Sequence, residues 1–203
     1  MAAPRLHRFD TATLPVTPWK NGGGTTREVA CHPAGAGADG FDWRVSIATI
    51  AAGGPFSEFG GKRRVIMLLA GDGVRLQAQG FDHRLAAQYA PFEFAGDAAV
   101  QCTLLGGPST DFNLMFDPAR CTASLQVLDA AQALPASRGG VVLALRGGWA
   151  CAAGEGGGTA TVLEEGEGLW WTGEHPAFSV EPMGGGGGGA RLAVVLCDPA
   201  GDS

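Results

Sequence analysis

The chain has no H-x-H pair, no C-x-x-C pair, no G-x-S-x-G segment and no G-x-x-x-x-G-K-[ST] loop. Each absence removes a class of function. A catalytic divalent ion needs several nitrogen or oxygen ligands converging at about 2.0–2.2 Å, whereas His7, His32, His83 and His175 stand singly. No metal or other cofactor is expected. The five cysteines, at 31, 102, 121, 151 and 197, are odd in number and widely spaced. They supply neither a disulfide framework nor a zinc ribbon and read as reduced, mostly structural thiols. Neither Ser46 nor Ser57 has the sequence surroundings of a hydrolase nucleophile. Gly61-Lys62 is followed by arginine rather than by the hydroxyl residue of a nucleotide-binding loop.

Long apolar runs are missing too. The start, Met1 to Arg8, has no stretch of signal-peptide length, and no later segment approaches the roughly 20 apolar residues that span a bilayer. The expectation is a cytoplasmic protein with no membrane partner. Charged residues make up only 17% of the 203 positions against 45% hydrophobic, so the chain can bury enough apolar surface to offset the entropy of ordering. Its 34 glycines and 12 prolines favour turns over long helices. A basic stripe is absent as well. The net charge of −6 combines eight Lys/Arg against five Asp/Glu in residues 1–64 with six against fifteen in residues 65–203. That balance argues against nucleic acid and leaves a small anion as the natural partner of the basic N-terminal part.

What stands out in that part is Trp19-Lys20-Asn21-Gly22-Gly23-Gly24-Thr25-Thr26-Arg27-Glu28. Three glycines let backbone N–H groups approach a ligand or another strand closely. Lys20 and Arg27 are cations, Asn21 donates and accepts, and Thr25 and Thr26 bring hydroxyls, a set suited to a carboxylate or an amide. A glycine-rich turn leading into an exposed strand is the plainer alternative. Further on, Phe41 to Ile47 alternates in character, so that Asp42, Arg44 and Ser46 share one face of a strand and Phe41, Trp43, Val45 and Ile47 the other.

The chain also repeats itself. Val65 to Leu69 resembles Val141 to Leu145 at an offset of 76, Phe92 to Asp97 matches Leu169 to Glu174 at 77, and Phe112 to Asp117 matches the stretch Leu192 to Asp198 near its end, at 81. The added residues fall at the glycine tract 184–189, read as a lengthened hairpin loop. Two copies of strand, glycine turn, strands, glycine turn and strand describe an all-β, duplicated antiparallel unit at sandwich or jelly-roll spacing. The junction is placed at Pro135 to Gly140, which divides the chain into residues 1–134 and 135–203.

P-W-K-N-G-G-G-T-T-R-E at 18–28, F-D-W-R-V-S-I-A at 41–48, G-P-F-S at 54–57, P-F-E-F-A-G-D at 91–97 and D-F-N-L-M at 111–115 together resemble the HutD/Ves family. The resemblance implies a double cupin, an RmlC-like jelly roll made twice. It also implies an association with bacterial histidine utilisation through binding of a metabolite rather than proven catalysis. The chain departs from the family at Phe59 to Arg64, where F-P-G-x-D-R is usual, and after D-F-N-L-M, where Phe116-Asp117-Pro118 replaces basic residues.

The candidate ligand-binding set is Lys20, Asn21, Thr25, Arg27, Arg44, Ser46, Ser57, Asp111 and Asn113, with no catalytic residue assigned. Arg44 can grip a carboxylate in two places, and Lys20 adds a point charge. Asp111 and Asn113 share a strand face and can accept from an amine or formimino nitrogen; an ion pair from Asp111 to Arg44 or Arg27 is the structural alternative. Trp19, Trp43 and Phe56 read as core or cavity wall, and of the adjacent Trp170 and Trp171 one should be ordinary core. The ligand class is an anionic intermediate of histidine breakdown such as urocanate or formiminoglutamate. The rival reading is a metal-independent acid–base enzyme using Lys20 or Asp111. An exposed sheet edge leaves room for a homodimer.

Overall fold

Short apolar runs bounded by glycine turns form strands throughout the computed structural model, which describes residues 5–37, 40–153, 160–175, 177–184 and 189–201. Nineteen strands and no helix occur among them, so no helix is long and apolar enough to cross a membrane. Most of the glycine tract at 184–189, and the side chain of His175, lie outside the described residues.

The strands are β1 (Arg5–Asp10), β2 (Val16–Pro18), β3 (Gly24–His32), β4 (Trp43–Ile50), β5 (Gly54–Pro55), β6 (Arg63–Ala70) and β7 (Val74–Ala78). There follow β8 (Phe81–Leu85), β9 (Pro91–Ala95), β10 (Gln101–Leu104), β11 (Ser109–Phe116), β12 (Cys121–Leu128) and β13 (Gln132–Leu134). The last six are β14 (Ser137–Arg146), β15 (Trp149–Ala153), β16 (Thr161–Leu163), β17 (Glu167–His175), β18 (Phe178–Pro182) and β19 (Arg191–Pro199).

Contacts divide the chain into Leu14–Cys121 and a second unit made of Met1–Thr13 with Thr122–Ser203. The first holds a six-stranded sheet, β2-β3-β4-β11-β6-β9, and a four-stranded one, β5-β10-β7-β8. Ile50, Ile66 and Leu68 from the larger sheet and Val74, Leu76, Leu85 and Cys102 from the smaller share one buried cluster. Each such fully buried aliphatic side chain contributes about 1.5–3 kcal/mol. The second unit holds β1-β17-β14-β19-β12 and β13-β18-β15-β16, with a cluster around Trp149, Leu163, Trp171 and Val180.

The two units repeat each other in register. Ile66 pairs with Asn113 on one side and Phe92 on the other; Val142 pairs with Val194 and Leu169 at the matching places. Both copies carry a register shift beside the pairs Asp111–Leu68 and Leu192–Ala144. The offsets of 76, 77 and 81 are therefore offsets between equivalent strands.

Contacts place the boundary elsewhere than at 134/135. β12 borders β19 as β4 borders β11, so β12 and β13, which precede residue 135, belong with the second copy. Gly139 and Gly140 are strand residues of β14, not a junction turn. The reason is steric: a Cβ on Gly140 would lie 2.4 Å from Trp171 Cζ2 and 2.5 Å from the Val195 carbonyl, so glycine makes room for the indole. β1 pairs along its whole length with β17, which carries the first strand of the chain into the second unit.

Candidate functional site

A cavity of about 410 Å³ opens in the Leu14–Cys121 unit, within the size range of small-molecule sites. Strand alternation decides what faces it. β3 and β4 pair Thr26 with Ala48, β4 and β11 pair Ser46 with Asn113 and Arg44 with Met115, and β11 and β6 pair Met115 with Arg64. Opposed residues of antiparallel strands point the same way, so these side chains share the inner face. All of them line the cavity.

The turn between β2 and β3 supplies the rim: Trp19, Lys20 and Asn21. Two of its three glycine N–H groups are used within the turn. Gly22 N–H donates to the Trp19 carbonyl at 3.0 Å, and Gly23 N–H donates to Asn21 Oδ1 at 2.9 Å. Gly22 has φ +71°, the left-handed conformation that a glycine adopts without strain. A Cβ on Gly24 would meet the Thr49 carbonyl at 2.3 Å and the Trp19 ring at 2.9 Å. The glycines thus close the turn and seat Trp19, whose indole N–H donates to Thr26 Oγ1 at 2.8 Å. Lys20, next to Trp19 in this turn, has no ion-pair partner among the described residues.

Arg64 is the centre of the arrangement. Its Nε and Nη2 groups donate to Asn113 Oδ1 at 3.1 and 2.7 Å, and its guanidinium lies 4.4 Å from the Phe56 ring centroid. That leaves Nη1 and one Nη2 hydrogen without a protein partner among the described residues, on a group that lines the cavity. Burial lowers its pKa to about 10, Asp111 opposing the shift and Arg44 adding to it; the group stays charged at neutral pH. Arg44 donates from Nε to Glu28 Oε2 at 2.8 Å, which orients its fork and leaves the Nη groups. The lining thus holds three cations, Lys20, Arg44 and Arg64, and no carboxylate, with Trp19, Phe56 and Phe59 as aromatic wall.

Asp111 sits on the same face of β11 as Asn113 but does not line the cavity. Its side chain is 0% exposed and neither carboxylate oxygen has a hydrogen-bond partner among the described residues. Desolvation raises its pKa to about 7, against the pull of Arg64. An ion pair to Arg44 or Arg27 is not formed: Arg44 is held by Glu28, and the cation acting on Asp111 is Arg64. Cys102 is nearby, its thiol pushed up to about 11 by burial and by Asp111.

A profile of the HutD family matches residues 11–186. The chain belongs to the HutD family. Among HutD relatives, an uncharacterised 21.2 kDa protein of the hutC 3′ region of Pseudomonas putida is 46% identical over 139 residues, 68% of this chain and 73% of that one. Protein Ves of Citrobacter koseri is 40% identical over 181 residues, 88% and 90% of the two chains. The solved structure of HutD from Pseudomonas fluorescens SBW25, in a formate condition, superposes with TM-score 0.81 at 31% identity, covering 97% of this chain and all of that one. A cupin 2 conserved barrel protein from Leptotrichia buccalis, 8% identical, matches with TM-score 0.58 and shows the fold alone. This HutD-family chain is an all-β double cupin.

Of the nine candidates, Lys20, Asn21, Arg44, Ser46, Ser57 and Asn113 line the cavity. Thr25, Arg27 and Asp111 do not. Thr25 and Arg27 pair with Thr49 and Ile47, on the face of β3 opposite Thr26. The candidate set left out Arg64 and, of the two threonines noted for their hydroxyls, kept Thr25 rather than Thr26, which lines the cavity. Arg64 ends the Phe59–Arg64 segment, at the arginine of the family's F-P-G-x-D-R, and that coincidence was the available signal. Among the described residues no group of three or more His, Cys, Asp or Glu could hold a metal ion. His7 stacks on Trp170 at 4.0 Å and His83 on Phe92 at 3.8 Å; neither lines the cavity. Trp171 is the buried member of its tryptophan pair.

Proposed function

We propose that the cavity of the Leu14–Cys121 unit binds a small organic acid, and that the protein senses or buffers an anionic intermediate of histidine breakdown, of the urocanate or formiminoglutamate class. The observation that carries this reading is the lining itself: three cations and no carboxylate, with unpartnered guanidinium hydrogens beside an aromatic wall. Charge-assisted, bidentate hydrogen bonds from arginine are the strong way to hold a carboxylate, and apolar walls take the remainder of a planar acid. The link to histidine breakdown is supported by the family and by the hutC-region name of the Pseudomonas putida relative. The protein acts in the cytoplasm without a metal cofactor, with neither nucleic acid nor membrane as partner, and its sheet edges suit a homodimer.

One observation favours an acid–base enzyme instead: a carboxyl group, Asp111, whose pKa is raised to about 7. Asp111 does not line the cavity, however, and a general acid or base must reach the proton it moves, directly or through one water. Binding is the better reading. Calorimetry with urocanate, formiminoglutamate and glutamate tests it. Saturable binding without product supports the binding protein, product formation supports the enzyme, and no response to any of the three refutes both.

A further inference from the structure

The buried carboxyl of Asp111 has no role in the fold that its surroundings explain. An unsatisfied buried acid costs stability, yet both of its oxygens lack a partner among the described residues while Asn113 Nδ2, two residues on, donates to the Asp111 main-chain carbonyl at 3.3 Å rather than to the side chain. The groups that pair with it in register or act on its charge are few. β6 contributes Leu68, its register partner, and Arg64; β4 contributes Ala48; β10 contributes Cys102, whose thiol stays neutral. Arg44, on β4, acts on Arg64 and is itself paired with Glu28 on β3. Arg64 is therefore the one cation among the described residues whose charge favours an ionised Asp111, and the same residue lines the cavity.

We propose that anion binding in the cavity is coupled to uptake of one proton by Asp111, so that the site reads acidity together with its ligand. The inference rests on the binding reading above and adds a regulation to it. A ligand carboxylate on Arg64 places a second negative charge beside the guanidinium whose charge acts on Asp111. Lys20 and Arg44 support the charge of the ligand, whereas the buried acid has Arg64 alone, so the added negative charge disfavours ionised Asp111 and the buried carboxyl takes a proton from solvent. The balance is ligand carboxylate plus one proton plus ionised Asp111 giving the complex with Asp111 neutral; no bond to the ligand forms or breaks. Below neutrality Asp111 is already protonated and the ligand meets an uncontested Arg64. Above neutrality binding has to draw the proton in, so affinity falls as pH rises.

The test is calorimetry of the full chain with formiminoglutamate, which has no group titrating near neutrality. Titrations at pH 7.5 in two buffers of different ionisation enthalpy read the protons taken up on binding. The expected result is net uptake that is lost in Asp111→Asn, and affinity about tenfold weaker at pH 8.5 than at pH 5.5 for a rise of about one unit in the carboxyl pKa on binding. Binding without proton uptake, or uptake that persists in Asp111→Asn, overturns the coupling and leaves the binding reading standing. No binding at either pH overturns both. Should Asp111→Asn fail to fold, the wild-type carboxyl is followed by carbon NMR of 13C-labelled aspartate. An Asp111 titration that moves up on saturation with ligand supports the proposal, and one that does not move refutes it.

Discussion

At the register positions where one copy of the repeat carries Arg64, Asn113 and Asp111, the other carries Gly140, Val194 and Leu192. The backbone pairing is the same, down to the register shift beside Asp111 and Leu192. What differs is the filling. In the C-terminal copy the place opposite glycine is taken by Trp171, which pairs with Gly140 as Phe94 pairs with Arg64, and Val194 and Leu192 are 0% exposed within a continuous apolar cluster. In the N-terminal copy an arginine lines a cavity and needs an acceptor, which Asn113 provides, while Asp111, buried and outside the lining, acts on its charge without a bond. One duplicated framework thus gives a packed core in one place and a polar recess in the other. Three side chains account for the difference.

The strongest way to break that comparison is to give the N-terminal copy the chemistry of its partner. Arg64→Met combined with Asp111→Leu removes the cation and the buried acid together, so neither is left unpaired. The double variant should fold and lose anion binding by about a hundredfold or more, in the range seen when one partner of a buried charge-assisted contact is removed. Calorimetry with formiminoglutamate checks it; retained affinity means Lys20 and Arg44 hold the ligand by themselves. Arg64→Met alone should be less stable than the double variant, because it strands Asp111 in an apolar environment.

The converse change probes the packed copy. Gly140→Ala drives a methyl group into the Trp171 ring and the Val195 carbonyl, a clash with ring and backbone rather than with a flexible side-chain end. Overpacking of this kind costs about 1–3 kcal/mol, read as a lower urea midpoint at unchanged slope. Ligand affinity should not change, since no cavity-lining residue moves.

Acidity sharpens the comparison further. Burial raises the Asp111 pKa to about 7, against the ordinary 3.8, with Arg64 opposing. The native chain then keeps a proton that the unfolded chain has released, so this group's effect is to lower stability as pH climbs from about 4 to about 7, by at most about 1.4 kcal/mol per unit, with no further change above. Asp82 and Asp117 behave in the opposite sense: hydrogen bonds from Arg75 and Lys62 hold them low, and their stabilisation is lost only as pH falls below the usual carboxylate range. Chemical denaturation at pH 5, 6 and 7 should show the wild type weakening relative to Asp111→Asn. Parallel curves would mean that the carboxyl is ionised throughout.

Much of the fold was legible because β strands announce themselves by short apolar runs and glycine turns, and because a duplicated strand keeps its offset. The same logic failed at Gly139-Gly140, where glycine serves a neighbouring indole instead of a turn. It also gave no sign that β1 would pair with β17, since partners remote in sequence leave no local trace. For the cavity, the residue types around Trp19 to Glu28 led to its rim, where Lys20 and Asn21 stand. Arg64 was hidden because it follows two other basic residues, Lys62 and Arg63, and only the strand's period separates it from them. Lys62 is buried against Asp117 at 2.8 Å, and Arg63 pairs with Glu93.

That period also governs the smallest effect. Thr25 and Thr26 are neighbours of the same type, yet Thr26 shares its face with Ala48 and holds the Trp19 indole at 2.8 Å, whereas Thr25 shares the opposite face with Thr49 and Arg27 that with Ile47. Thr26→Val keeps the shape and removes the acceptor, leaving a half-buried indole N–H without its bond. A hydrogen bond of this kind contributes about 1 kcal/mol, so ligand affinity should drop about fivefold as Trp19 loses its fixed orientation. Thr25→Val and Arg27→Ala should leave affinity within error, because neither side chain lines the cavity. If Arg27→Ala weakens binding as much as Thr26→Val does, the ligand is held on the other face of β3, and the division into a recess and a packed core is drawn along the wrong surface.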